Sequence, residues 1–162
     1  MNNFYLKKSQ INKIKFGQIG SNCRISNYVT FIYPKNIILG KNVRIDDFCV
    51  LSAFEGKIII GDDTHIASFT YILGASGVSI GNNCKISQGV KIYSKSDEYK
   101  KTIKNQFYKK VVIADNVIIG SGSVILPGSN LGTFSRVGAL TLVKNKIPKN
   151  SLFYGKKIKR IY

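Results

Sequence analysis

Read in steps of six, the chain repeats a single pattern of apolar and polar positions: "IGSNCR", "ISNYVT", "LGKNVR", "IDDFCV", "IGDDTH", "IASFTY", "IGNNCK", "ISQGVK", then "IGSGSV", "ILPGSN", "LGTFSR" and "VGALTL". The first place is aliphatic, the second is mostly Gly, Ala, Ser or Asp, and the fifth is a small residue or Val. A period this regular is the mark of a stacked repeat, in which no unit buries its apolar face alone. Three six-residue segments close one turn of a triangular coil, with the aliphatic side chains inward. Ile19, Leu39, Ile60, Ile80, Ile113 and Leu131 start six coils, and successive starts differ by 20, 21, 20, 33 and 18 residues. The 33-residue interval must therefore carry an excursion, "YSKSDEYKKTIKNQFYKK", Tyr93 to Lys110. Coils paired strand to strand lie about 4.8 Å apart, and each buried aliphatic residue contributes roughly 1.5–3 kcal/mol. The expected fold is all-β and a single domain over 1–162: a cover at 1–18, the coils at 19–148 with the loop at 93–110, and a closing segment at 149–162. An antiparallel sandwich also uses many short strands, but its hairpins would not need a six-residue register throughout.

The register disposes of the three cysteines. Cys23, Cys49 and Cys84 all fall at the fifth place, and their number and spacing suit neither a disulfide framework nor a paired zinc motif. They are expected as small core residues. Lysine and arginine number 25 against 8 acids, a formal charge of +17, which attracts anionic partners without choosing among polyanions, membrane surfaces and phosphorylated small molecules. No helix-turn-helix or zinc-finger spacing accompanies the basic residues, so a nucleic-acid role is disfavoured. No run of about 18 apolar residues suggests a membrane span, and the first residues lack the apolar stretch of a signal peptide. A cytoplasmic protein is expected, with association at the inner face of the membrane left open by the charge.

The repeat and several segments resemble the hexapeptide-repeat acyltransferases, and among them the sugar O-acetyltransferases of surface-polysaccharide synthesis. "HIASFTYILGASGVSIGNNCKISQGVKIYSKSDEY", His65 to Tyr99, is similar to the stretch where a His followed by Ile-Ala precedes a Tyr-Ser-x-x-Asp-Asp-Tyr loop; here the second acid is Glu98. "IIGSGSVILPG" and "VGAL" resemble the donor-side coils, and "FYGKKIKRI" resembles the closing Gly-Asn-Pro-Ala-Lys segment, with Lys156 and Lys157 replacing Asn and Pro. The resemblance implies a left-handed parallel β-helix, a hand opposite to that of ordinary crossover connections. It also implies a homotrimer with acetyl-CoA in the groove between two β-helices, and a sugar, nucleotide-sugar or lipid-linked glycan as acceptor. Many members carry a catalytic His in the loop after "IY", where this chain has Lys95, so the resemblance makes His65 the general base.

His65, the only histidine, ends the segment "IGDDTH". It precedes an inward Ile66 and should project outward, since neighbouring side chains on a strand face opposite ways. An imidazole there could be a plain surface residue, or could take the proton from a sugar hydroxyl or amine as it attacks a thioester. Asp97 and Glu98 in the excursion are expected to orient the imidazole or grip the acceptor, reaching across to a neighbouring subunit. Gly120, Ser121, Gly138 and Ala139 lie where the resemblance brings the pantetheine against the backbone, although small residues also satisfy tight corners. Lys144, Lys146, Lys159 and Arg160 are candidates for the donor phosphates. Asp62 and Asp63 fall at turn positions and read as structural. No metal is called for, and one histidine per chain cannot build the three-histidine zinc site of the carbonic anhydrases that share this outline. The expected reaction is O-acetylation of a sugar from acetyl-CoA. N-acetylation of an amino-sugar nucleotide is the alternative, and a non-catalytic scaffold that binds polyanions is the second.

Overall fold

The computed structural model describes residues 4–97, 106–155 and 157–160. Within them the chain winds through three parallel sheets. The first sheet runs from Gln18–Ile19 through Ile37–Leu39, Ile58–Ile60, Val78–Ile80, Val111–Ile113 and Asn130–Leu131 to Lys146–Ile147. The second holds Arg24–Ile25, Arg44–Ile45, His65–Ile66, Lys85–Ile86, Ile118–Ile119, Arg136–Val137 and Ser151–Tyr154, and the third runs from Thr30–Ile32 to Leu142–Val143. Register is kept coil after coil: Ile45 pairs with Ile66, Ile66 with Ile86, and Ile86 with Ile119. Six turns result, as the spacing of the aliphatic starts requires.

The reason lies in the six-residue period. The strands turn their aliphatic first-place residues inward, so Ile60, Ile66 and Ile72 meet at the axis of one coil with at most 1% of their surface exposed. The fifth place closes the next coil by hydrogen bonds. Thr64 donates its hydroxyl to the Gly81 carbonyl at 2.9 Å, Ser123 to Gly138 at 2.8 Å, and the thiols of Cys49 and Cys84 donate to Ala67 and Ala114 at 3.1 Å. The cysteines are thus free thiols inside the ladder, and burial pushes the Cys49 thiol up to about 11 despite a favourable backbone contact. Neither is poised as a nucleophile.

Corners between the first and second sheets turn at Asn22, Asn42, Asp63, Asn83 and Asn116, all left-handed, a conformation that Asn and Asp tolerate best among residues with a side chain. Their side chains form a ladder of their own, with the Asn42 amide on Asp63 at 2.8 Å and that of Asn83 on Asn116 at 2.7 Å. Asp62 accepts the backbone N–H of Lys41 at 2.8 Å, so both aspartates hold corners, as read from the sequence.

At one end the helix Lys8–Ile14 is flanked by Leu6 and Phe16, which pack on the core. At the other the chain doubles back: Lys157–Arg160 pairs antiparallel with Ser151–Tyr154 and ends the second sheet. The excursion rises as a hairpin, Lys95–Asp97 against Gln106–Tyr108, from the end of the third-sheet strand Lys91–Tyr93. Lys95 anchors it, 3.7 Å from the Glu55 carboxylate and over the Tyr108 ring.

Candidate active site

His65 stands on the outer face of the second sheet, between Arg44 one coil earlier and Lys85 one coil later. Its backbone is fixed by the ladder, through N–H donation to the Cys84 carbonyl at 2.9 Å. The imidazole is fixed by a neighbour that the repeat brings to it. Asp46 lies two residues after Arg44 and so on the same face, and its Oδ2 is 2.7 Å from His65 Nε2. Arg44 grips that carboxylate with two bonds, Nε to Oδ1 at 2.7 Å and Nη2 to Oδ2 at 3.2 Å. The Asp46 side chain is 15% exposed and that of His65 35%, so the carboxylate is covered while the ring remains reachable.

Burial pushes the Asp46 carboxyl upward, but the hydrogen bonds from His65 and Arg44 outweigh it and hold the group below the ordinary value of 3.8. Asp46 is therefore a carboxylate at neutral pH and can only accept hydrogen bonds. Its contact with Nε2 requires the proton on that nitrogen, which leaves the Nδ1 lone pair to act as a base.

The depressed value has a thermodynamic corollary. The bonded carboxylate stabilises the fold fully above its unfolded-state pKa, and that contribution disappears as pH falls through the lower folded value. Urea unfolding of the wild type and Asp46→Asn should show a stability difference that is level above the ordinary carboxylate range and shrinks as pH falls through and below it. A difference that stays level across that range would show that the carboxylate is not held by its partners.

Beside His65 lies a cavity of about 350 Å³ lined by Ala67, Lys85, Ser87, Gln88 and Ser121 along with the imidazole. Ser121, read from the sequence as a donor-side residue, thus shares one space with the histidine. Gly120 precedes it, and Gly138 and Ala139 sit one coil further on. Close approach is built in there, since a Cβ on Gly120 would lie 2.8 Å from the Ala139 Cα. The N–H groups of Gly120 and Gly138 are spent on the ladder, donating to Val137 and Phe153 at 2.8 Å. Lys85, Ser87, Gln88 and Ser121 bring side-chain donors to the lining of the cavity.

The four basic candidates divide between two faces. Lys146 is on the first sheet and Lys144 just before it, whereas Lys159 and Arg160 are on the last strand of the second sheet. All four are exposed. Asp97 ends the first strand of the hairpin, which leaves from the third sheet rather than from the sheet of His65. Glu98 lies outside the described residues. Asp46 holds the imidazole from within the sheet. Sequence reasoning passed over Asp46, although "IDDFCV" places an acid at a second position where neighbouring coils have Ser26, Ala67 and Ser87. No group of three or more metal-ligating side chains occurs among the described residues.

No sequence-family profile matches the chain. Individual proteins do. A dTDP-4-amino-4,6-dideoxy-D-glucose acyltransferase of Escherichia coli is 39% identical over 150 residues, covering 86% of this chain and 78% of the relative. The chain belongs to the hexapeptide-repeat acyltransferases. A lipopolysaccharide-biosynthesis O-acetyl transferase, WbbJ of E. coli K12, whose function is itself assigned provisionally, is 26% identical, over 83% of this chain and 76% of its own. Among solved structures, the S84C mutant of AntD, an N-acyltransferase from Bacillus cereus, in complex with dTDP-4-amino-4,6-dideoxyglucose and coenzyme A, superposes with a TM-score of 0.91. It is 30% identical, over 98% of this chain and 89% of that one. This hexapeptide-repeat acyltransferase accordingly folds as the left-handed parallel β-helix. No helix among its described residues is long and apolar enough to cross a membrane.

Proposed function

We propose that this acyltransferase moves an acyl group from acyl-CoA to the amine of a nucleotide-linked amino sugar, with His65 as general base. The observation that carries the reading is the His65–Asp46–Arg44 chain beside the cavity. A carboxylate that pins the Nε2 proton leaves Nδ1 free to accept one, as acyl transfer to an amine requires. The amine nitrogen attacks the thioester carbonyl and gives its proton to Nδ1. The tetrahedral intermediate then collapses, the C–S bond breaks, and the imidazolium returns the proton to the departing thiolate of coenzyme A. The new C–N bond is an amide, and the hydroxyls of Ser87 and Ser121 are placed to steady the oxyanion.

The choice of an amine over a hydroxyl rests on the two relatives that act on or bind a dTDP-linked 4-amino sugar, and it turns from the O-acetylation favoured by sequence motifs. WbbJ supports the hydroxyl as the second reading. The acyl group is acetyl or slightly larger, since AntD also accommodates 3-hydroxybutyryl-CoA. We take the working unit to be a homotrimer, with the donor along the groove past Ser121 and the Asp97 hairpin reaching towards a neighbouring copy. Free thiol released from acetyl-CoA, followed with a panel of nucleotide sugars, free sugars and amino sugars, tests the reading. Release is expected with amino-sugar nucleotides. Release confined to hydroxyl acceptors would replace it with O-acetylation.

A further inference from the structure

The corner that joins the second and third sheets carries a column of side chains with a gap in it. Reading along the axis, the column is Tyr28, Phe48, Phe69, Gly89, Gly122 and Leu140, tied by backbone bonds such as Phe69 N–H to Asp47 O at 3.0 Å and Gly89 N–H to Ser68 O at 3.0 Å. The first three rings stack in succession, with centroids 5.4 and 5.2 Å apart. They do so on the surface, where Phe69 is 62% exposed. Phe48 and Phe69 adopt positive φ of 59° and 62°, a conformation disfavoured for bulky residues, so the column is kept at a backbone cost.

The stack stops at Gly89. Among the described residues a Cβ there would meet only the Gly122 backbone, at 4.0 Å, so none of them fills the layer next to the Phe69 ring. Beyond it the Leu140 side chain folds over Gly122, its Cδ2 lying 2.7 Å from where a Cβ on Gly122 would be. With coils about 4.8 Å apart, Phe69 and Leu140 wall a slot one layer thick over Gly89. The slot opens from the reaction cavity, because Gln88 and Ser121, which line that cavity, immediately precede Gly89 and Gly122.

We propose that this slot takes the base of the nucleotide-linked acceptor, stacked on the free face of Phe69; the inference rests on the nucleotide-sugar reading above. His65 and Phe69 are four positions apart, at most about 14 Å of chain. That matches the reach from a sugar ring through a diphosphate to its base. Lys85, paired with His65 one coil on, lines the same cavity and offers a cation for a diphosphate, and Gln88, also in that lining, directly precedes Gly89. A flat π-face suits any base, and stacking on an aromatic ring typically changes affinity by about tenfold or more on removal of the ring.

The test is calorimetric binding of dTDP, pyrophosphate and acetyl-CoA to the wild type, Phe69→Ala and Gly89→Phe. The second variant should fold, since Gly89 has a φ of 68° and two phenylalanines already occupy equivalent corners; it would extend the stack into the slot. Expected is dTDP binding weakened about tenfold in Phe69→Ala and lost in Gly89→Phe, with pyrophosphate and acetyl-CoA bound as in the wild type. Unchanged dTDP binding in Phe69→Ala would overturn the slot alone. A wild type that binds acetyl-CoA but no dTDP would overturn the nucleotide-sugar reading together with it. A change of oligomeric state in Phe69→Ala would also overturn the slot, assigning the aromatic column to contacts between copies of the chain.

Discussion

His65→Ala is expected to lower kcat by about 10²–10⁴, the range over which a positioned acid–base group accelerates proton transfer. The KM for acyl-CoA should hardly move, because the proposed path of the donor follows the coils beyond Ser121 rather than the imidazole. Stability should hardly move either, since the ring is part-exposed and outside the aliphatic core. The loss should therefore appear at saturating substrate, in a protein whose unfolding transition and oligomeric size match the wild type. Steady-state kinetics with an amino-sugar nucleotide provide the check. A variant retaining more than about a tenth of the wild-type kcat would remove His65 from the mechanism.

Asp46→Asn should be nearly as damaging, for a reason that a simple loss of charge does not capture. The carboxylate can only accept, so it keeps the proton on Nε2 and the lone pair on Nδ1. An asparagine amide can donate to Nε2 instead, which sends the proton to Nδ1 and turns the base into a donor; the same substitution beside a catalytic histidine elsewhere costs about 10⁴ in kcat. Here the ring is more exposed and can reorient, so a loss of about 10²–10³ is expected. Asp46 is a positioning residue, and two readouts set it apart from a structural one. The double variant His65→Ala/Asp46→Asn should be no slower than His65→Ala, because both act on one step. Asp46→Glu, which keeps an acceptor-only group, should recover part of the rate. Additive losses in the double variant would show that Asp46 works through something other than the imidazole.

The coil architecture was legible because its signal is periodic and one-dimensional. An aliphatic residue every six positions can be counted without knowing any contact, and the structure places Ile60, Ile66 and Ile72 at the axis as the count requires. The cysteines and Asp62 and Asp63 followed from the same register. The outward projection of His65 needed only strand alternation. What escaped was whatever depends on the neighbouring coil. Asp46 precedes His65 by 19 residues, and its role emerges only when the 21-residue step that pairs Arg44 with His65 is laid down and the same face is followed two residues further. The aromatic column escaped for the same reason, since Tyr28, Phe48 and Phe69 occupy a turn position that later coils give to Gly89, Gly122 and Leu140. The basic candidates Lys144, Lys146, Lys159 and Arg160 read as one cluster in a linear chain, but a triangular coil distributes near neighbours over different faces. The handedness of the coil is in no local pattern, and it entered through the resemblance.

The most direct measurement is the identity of the acylated atom. Wild type and His65→Ala would each be incubated with acetyl-CoA and dTDP-4-amino-4,6-dideoxyglucose, and the nucleotide-sugar product characterised by mass spectrometry and NMR. The account predicts an amide at the sugar nitrogen, formed by the wild type and at most a trace by the variant. An ester at a sugar hydroxyl, or an amide formed equally well without the imidazole, would contradict it.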